Sequence, residues 1–178
     1  MKSIKIFALF FVILSVVSVS AQRRSSYEKY GNTLNLGLGI GGYSGYYGYT
    51  GRTLPVLHAN YEFDAGKNFT LAPFVTIFTY SDNNYRETVL PLGVKGSLYL
   101  DKLLMAGPKW DFYGAGSLGF ALVGTTWNDG YYGDRSYYRR ASPLFLDLHI
   151  GTEFHFNRHV GAFLDFSTGV STIGIAIR

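Results

Sequence analysis

Cysteine is absent from the 178 residues. That excludes disulfides, zinc–thiolate sites, thiol catalysis and a lipid-modified amino-terminal cysteine. Past the amino-terminal stretch, no apolar run approaches the ~20 residues of a membrane-spanning helix. If the mature chain lies in a membrane, it does so as strands. Helix signals are scarce as well, because 22 glycines are spread along the chain and each disfavours a helix interior by about 1 kcal/mol. A charge excess is missing too. The formal net charge is +4 and becomes +2 once Lys2 and Lys5 leave with the leader described next. Nothing in that balance calls for nucleic acid as a partner.

Lys2 and Lys5 form a basic start, followed by "IFALFFVILSVVSV" and the small residues Val19-Ser20-Ala21. This is the layout of a secretory signal peptide over 1–21, with the mature chain beginning at Gln22. Removing 21 of 178 residues leaves 157, enough for one domain. The expected organisation is a signal peptide (1–21), a short amino-terminal periplasmic segment (22–32) and one domain over 33–178.

That domain reads as strands in series. "PLFLDLHIGTEFHF" (143–156) alternates Leu144, Leu146, Leu148, Ile150, Thr152, Phe154 and Phe156 with Phe145, Asp147, His149, Gly151, Glu153 and His155. A period of two is a strand, since successive side chains point to opposite faces. Similar alternation covers 33–42, 56–64, 69–80, 88–100, 111–124, 159–167 and 170–178, giving eight strands in all. Most approach the ~9–11 residues of a tilted membrane strand.

The two faces differ in size as well as polarity. One row is bulky and apolar. The other mixes Gly, Ala, Ser and Thr with Asn, His, Lys, Asp and Glu. A water-exposed sandwich face carries long charged side chains, whereas an eight-stranded barrel has an interior just wide enough for its own side chains. The polar row therefore belongs inside and the apolar row faces lipid. Connections alternate accordingly between a long set ("YSGYYGYTGRT", "SDNNYRE", "NDGYYGDRSYYRRAS") and a set that is shorter at "AGK" and "NR", with "DKLLMAGPKW" its longest member. Short turns on one rim and long loops on the other are an outer-membrane pattern, with both termini on the short-turn side. The last outer connection, near "STG", is expected to be tight. Tyr61, Phe63, Tyr99, Trp110, Phe112, Phe154 and Phe156 lie near strand ends and are candidates for an interfacial girdle. The fold class expected is all-β: an eight-stranded antiparallel transmembrane up-and-down β-barrel. A secreted soluble sandwich is a weaker alternative.

With "FYGAGSLGFAL" and the closing "HVGAFLDFSTGVSTIGIAIR", the mature chain resembles the small eight-stranded bacterial outer-membrane barrels of OmpA/OmpX shape. The resemblance implies a monomeric protein of the bacterial outer membrane. Its partners would be outer-membrane lipids, lipopolysaccharide and the outer-membrane assembly machinery. Such barrels usually finish on an aromatic residue. This chain departs from that pattern and finishes Ile177-Arg178.

The inward rows carry His58, Glu62, Lys95, Asp147, His149, Glu153, His155, Asp165 and Arg178. Charges in a narrow lumen must be paired. The expectation is a buried polar network in which Lys95 and Arg178 offset carboxylates and the histidines bridge, giving a plugged barrel. The same imidazoles and carboxylates could collect a metal, but their spacing is not ligand-specific, so neither a metal nor a cofactor is assigned. "GLGIGG" (37–42) matches a dinucleotide fingerprint with Glu62 at the right distance, yet a loop follows and not a helix. Lipid-A-modifying barrels of the deacylase type show His-x-Ser. Here His58, His149, His155 and His159 are followed two places on by Asn60, Gly151, Asn157 and Gly161. The chain is therefore expected to be no enzyme, and a lipid-A-modifying activity stands only as a weak alternative.

The loops are the better functional candidates. Tyr43, Tyr46, Tyr47, Tyr49, Tyr131, Tyr132, Tyr137 and Tyr138 gather with Trp127, Arg135, Arg139 and Arg140 among glycine spacers. Tyr, Arg and Gly make an adaptable contact surface for an extracellular ligand or surface. Equally, the tyrosines could be anchors at the lipopolysaccharide level, with Arg139 and Arg140 neutralising its phosphates. The functional expectation is a structural or surface-interaction role through the loops. A narrow pore for small solutes or ions is the alternative.

Overall fold

The computed structural model describes residues 30–41, 54–81, 84–127 and 144–178. Eight strands follow in order: β1 (Thr33–Gly41), β2 (Leu54–Gly66), β3 (Phe69–Ser81), β4 (Tyr85–Tyr99), β5 (Trp110–Trp127), β6 (Leu144–His155), β7 (Val160–Ser167) and β8 (Val170–Ile177). Each pairs antiparallel with the next, and β8 returns to β1. Closure leaves no sheet edge along the paired length. A two-sheet sandwich is thereby overturned, and the up-and-down barrel holds. The alternation located the strands to within a few residues. β4 starts at Tyr85, three residues earlier than expected, and β5 continues three residues further, to Trp127.

The alternation also fixes the faces. On β6, Leu144, Leu146, Leu148 and Ile150 are 61–68% exposed, while Phe145 and Asp147 are 2% and 3% exposed. The same parity runs round the barrel: Leu34, Leu36, Leu38 and Ile40 point out from β1, whereas Thr33 and Asn35 are buried. Most apolar bulk is outside and the polar row inside. At the short-turn end the outer surface carries Trp110 against Phe112 and Phe154, with Phe156 against Phe154, and exposed Tyr61.

The interior differs from expectation in one respect. It is not only small and polar. At the loop end Val56, Phe78, Tyr80, Tyr85, Val89, Ala121, Phe145 and Val170 pack into an apolar layer. At the turn end Tyr30, Tyr99 and Tyr113 form another. Tyr99, expected in the outer girdle, is 3% exposed, because it shares its strand face with Lys95 and Ser97. The glycines make room for this bulk. Gly37 and Gly174 face each other across the β1–β8 seam. A Cβ at either would fall within 2.9 Å of the Phe163 ring, so the paired glycines form the floor on which Phe163 lies.

Two connections are informative. β7 and β8 join through Thr168-Gly169, where Ser167 Oγ accepts the Gly169 and Val170 N–H groups. This is the expected tight turn. The "DKLLMAGPKW" connection contains one helical turn, α1 (Asp101–Leu104), ended by Met105 in the left-handed region at φ 50°. Four residues give no periodicity from which a sequence reading could detect it.

Candidate functional site

The polar layer between the two aromatic layers is organised by Asp165 on β7. Its Oδ2 accepts from Lys95 Nζ at 3.1 Å and from the Tyr113 hydroxyl at 2.8 Å. Its Oδ1 lies 2.7 Å from His149 Nδ1, and His149 Nε2 lies 2.9 Å from Ser117 Oγ. Lys95 Nζ also sits 5.0 Å from the centre of the Tyr113 ring. The ladders explain the convergence. Lys95 is opposite Ser117, while Gly151 stands opposite Tyr113 on one side and Asp165 on the other. A Cβ on Gly151 would overlap the Tyr113 ring. Its absence lets the phenol cross β6 and reach Asp165.

Towards the turn end, His155 Nε2 is 2.7 Å from Asp111 Oδ2, and His155 Nδ1 is 3.3 Å from Glu153 Oε1. Arg178 Nη2 spans the same carboxylates at 3.2 Å and 3.4 Å, and its Nε is 3.2 Å from Thr33 Oγ1. Glu62 is held without a cation, by the hydroxyls of Thr70 and Tyr99 and the amide of Asn35. From there Asn35 donates to Asn60, which meets His58, which meets Thr76. Asp147 accepts from Thr168 Oγ1 at 3.3 Å.

All nine expected lumen residues thus point inward. Lys95 pairs with Asp165 and Arg178 with Glu153, while Glu62 and Asp147 take hydroxyl and amide partners. Asp111, Tyr99 and Tyr113 were missed, although their parity with Ser117 and Lys95 already placed them on the inward rows. The dinucleotide fingerprint is void: Gly37, Gly39 and Gly41 lie along β1. Of the loop candidates, Trp127 ends β5 and packs 5.5 Å from the Tyr85 ring. Tyr43, Tyr46, Tyr47, Tyr49, Tyr131, Tyr132, Arg135, Tyr137, Tyr138, Arg139 and Arg140 lie outside the described residues.

Two constellations have chemical potential. Ser117, His149 and Asp165 reproduce the hydrogen-bond order of a nucleophile, base and orienting acid. The space beside them is a cavity of ≈ 20 Å³ bounded by Phe145, Asp147 and His58, which is room for about one water. Separately, Asp111, Glu153 and His155 each bring one metal-binding atom within 4.8 Å of the others.

No protein-family description matches this chain, and no curated protein does either. Six solved chains match in shape. One comes from the de novo design of transmembrane β-barrels, with a TM-score of 0.47 and 11% identity, covering 84% of this chain and 98% of that one. Another is the Yersinia pestis outer membrane protein Ail in a phospholipid bilayer nanodisc, with a TM-score of 0.39 and 13% identity, covering 83% of this chain and 99% of that one. Neither likeness assigns this chain a ligand or an activity.

Proposed function

We propose that the chain is an exported, integral barrel of a bacterial outer membrane, without catalytic activity, that carries surface-interacting loops on a plugged scaffold. The observation that supports this most is the pairing of an apolar exterior with an interior that, among the described residues, is packed by two apolar clusters and a polar network. An exposed apolar band of this extent is incompatible with a monomer in water, and lipid removes the conflict. The filled lumen disfavours the pore alternative, and planar-bilayer recordings are expected to show no stable channel.

The longer strands support the loop role. Among the described residues β3, β4 and β5 extend beyond β2 and β6, still paired at Ser81–Arg86 and Tyr85–Trp127. There the outward row changes from Leu and Phe to Thr79, Arg86, Thr88 and Thr126, as expected for strands leaving the lipid. The aromatic packing of Tyr80, Tyr85 and Trp127 stiffens this tongue, and the sequence continues from Trp127 into the Tyr- and Arg-rich stretch. Its partners would be lipopolysaccharide, an extracellular ligand or a host surface, and the assembly machinery would insert the barrel. Deleting residues 128–142 is expected to leave a folded barrel and to abolish adhesion or ligand capture by whole cells. Undiminished binding after that deletion would remove the loop reading.

The Ser117 constellation fits this proposal as a structural device. Asp165 holds the His149 ring so that Ser117 and the carboxylate satisfy both nitrogens, and a one-water cavity admits no acyl substrate. A fluorophosphonate probe is expected to leave Ser117 unlabelled. Ser117→Ala is expected to cost about 1–3 kcal/mol in unfolding free energy, since it strands a buried ring nitrogen. Stoichiometric labelling of Ser117 would reopen the enzyme reading.

A further inference from the structure

The lumen rows carry six buried carboxylates among the described residues: Glu62, Glu87, Asp111, Asp147, Glu153 and Asp165. Against them stand two permanent cations, Lys95 and Arg178. Buried charge of one sign needs partners, and the deficit is most open to change at the turn end. There Asp111, at the start of β5, converges within 4.8 Å with Glu153 and His155, at the end of β6. Glu153 is 3% exposed, and its Oε1 is buried without a hydrogen bond, its closest cationic neighbours standing off at 3.3 and 3.4 Å. A buried carboxylate oxygen beside other possible ligands, held by two longer ion pairs and by no hydrogen bond, is what a metal ion would complete.

From these observations we propose that Asp111, Glu153 and His155 form a divalent transition-metal site at the turn end of the lumen, with Arg178 as its displaceable occupant. Two carboxylates and an imidazole are a ligand set for Zn²⁺ and its neighbours in the first transition row. Around such an ion, ligand atoms lie about 3.4 Å apart, from metal–ligand distances of about 2.1 Å. His155 Nε2 and Asp111 Oδ2 already stand 2.7 Å apart, so binding opens that pair slightly while the widest separation in the group, at most 4.8 Å, closes. Arg178 makes that rearrangement possible. Its Nη2 lies between the two carboxylates, its side chain remains about one-quarter exposed, and it ends the strand pattern. Swinging outward, it exchanges one positive charge for two and leaves both carboxylates neutralised. Thr33, now bonded to Arg178 Nε, keeps its other bond to Tyr30 O.

The site goes beyond the loop reading and does not depend on it. The test uses the full folded mature barrel in detergent, titrated with ZnCl₂ by calorimetry, with Co²⁺ absorption reporting coordination geometry. Each variant is first shown to migrate as a closed barrel. Saturable one-to-one binding is expected, weakened at least tenfold by His155→Ala and by Asp111→Asn, the second guarding against a variant that fails to fold. Arg178→Ala is expected to bind at least tenfold more tightly, because the competing cation is gone. His159→Ala, which removes an exposed imidazole beside the mouth, is expected to change nothing. No saturable binding, binding that survives both ligand substitutions, loss of binding in His159→Ala, or unchanged affinity in Arg178→Ala would each overturn the proposal.

Discussion

Replacing Asp165 by alanine is expected to be the most destabilising single truncation in the lumen, costing about 3–5 kcal/mol. The carboxylate is the shared partner of Lys95, His149 and Tyr113. Its removal leaves an ammonium that is only 6% exposed, beside the Tyr113 ring and without its ion-pair partner. Desolvation, and not the lost attraction, sets the magnitude, because the cavity beside Lys95 holds about one water and cannot replace the solvation that the ammonium has in bulk. The double variant Asp165→Ala with Lys95→Met is therefore expected to recover most of the loss, since an apolar pair removes both buried charges together. Denaturant-induced unfolding in lipid vesicles measures both. If the single variant costs less than about 1 kcal/mol, the Asp165 hub does not organise the lumen.

The second large effect lies on the outside. Leu148 is 63% exposed in the middle of the β6 apolar row. Leu148→Arg is expected to cost about 2–4 kcal/mol in a bilayer, while Thr126→Arg on the projecting part of β5 costs about 0–1 kcal/mol, because the penalty follows depth in the hydrocarbon. In water neither substitution breaks a contact, and both would fall within about 0.5 kcal/mol of zero. The contrast between the two positions, measured by vesicle unfolding, reports which solvent the apolar row meets.

Most of the architecture was legible because β alternation is a local property. Leu34, Leu36, Leu38 and Ile40 declare their face without knowledge of any other strand. The difference in size between the rows then decided which face was inside. What stayed illegible was long-range register. Lys95 and Asp165 are 70 residues apart, and no local pattern says that β4 and β7 present them at the same depth. Aromatic residues misled for a related reason. Tyr99 and Trp110 both lie near strand ends, and parity alone separates the lumen residue from the girdle residue. Tyr113 reaches Asp165 only because Gly151 is small, a dependence that needs both ladders to be visible. Tyr30, from the short segment before β1, stacks 3.9 Å from Tyr99 and closes the turn-end layer. No strand pattern covered it.

The barrel is closed, and its apolar outer row is proposed to face lipid. The most direct measurement is cell fractionation followed by gel electrophoresis with and without boiling. A band in the outer-membrane fraction that migrates anomalously until heated is the expected result, since a closed barrel resists detergent at room temperature. A band in the periplasm or medium with the same mobility before and after boiling would contradict the account.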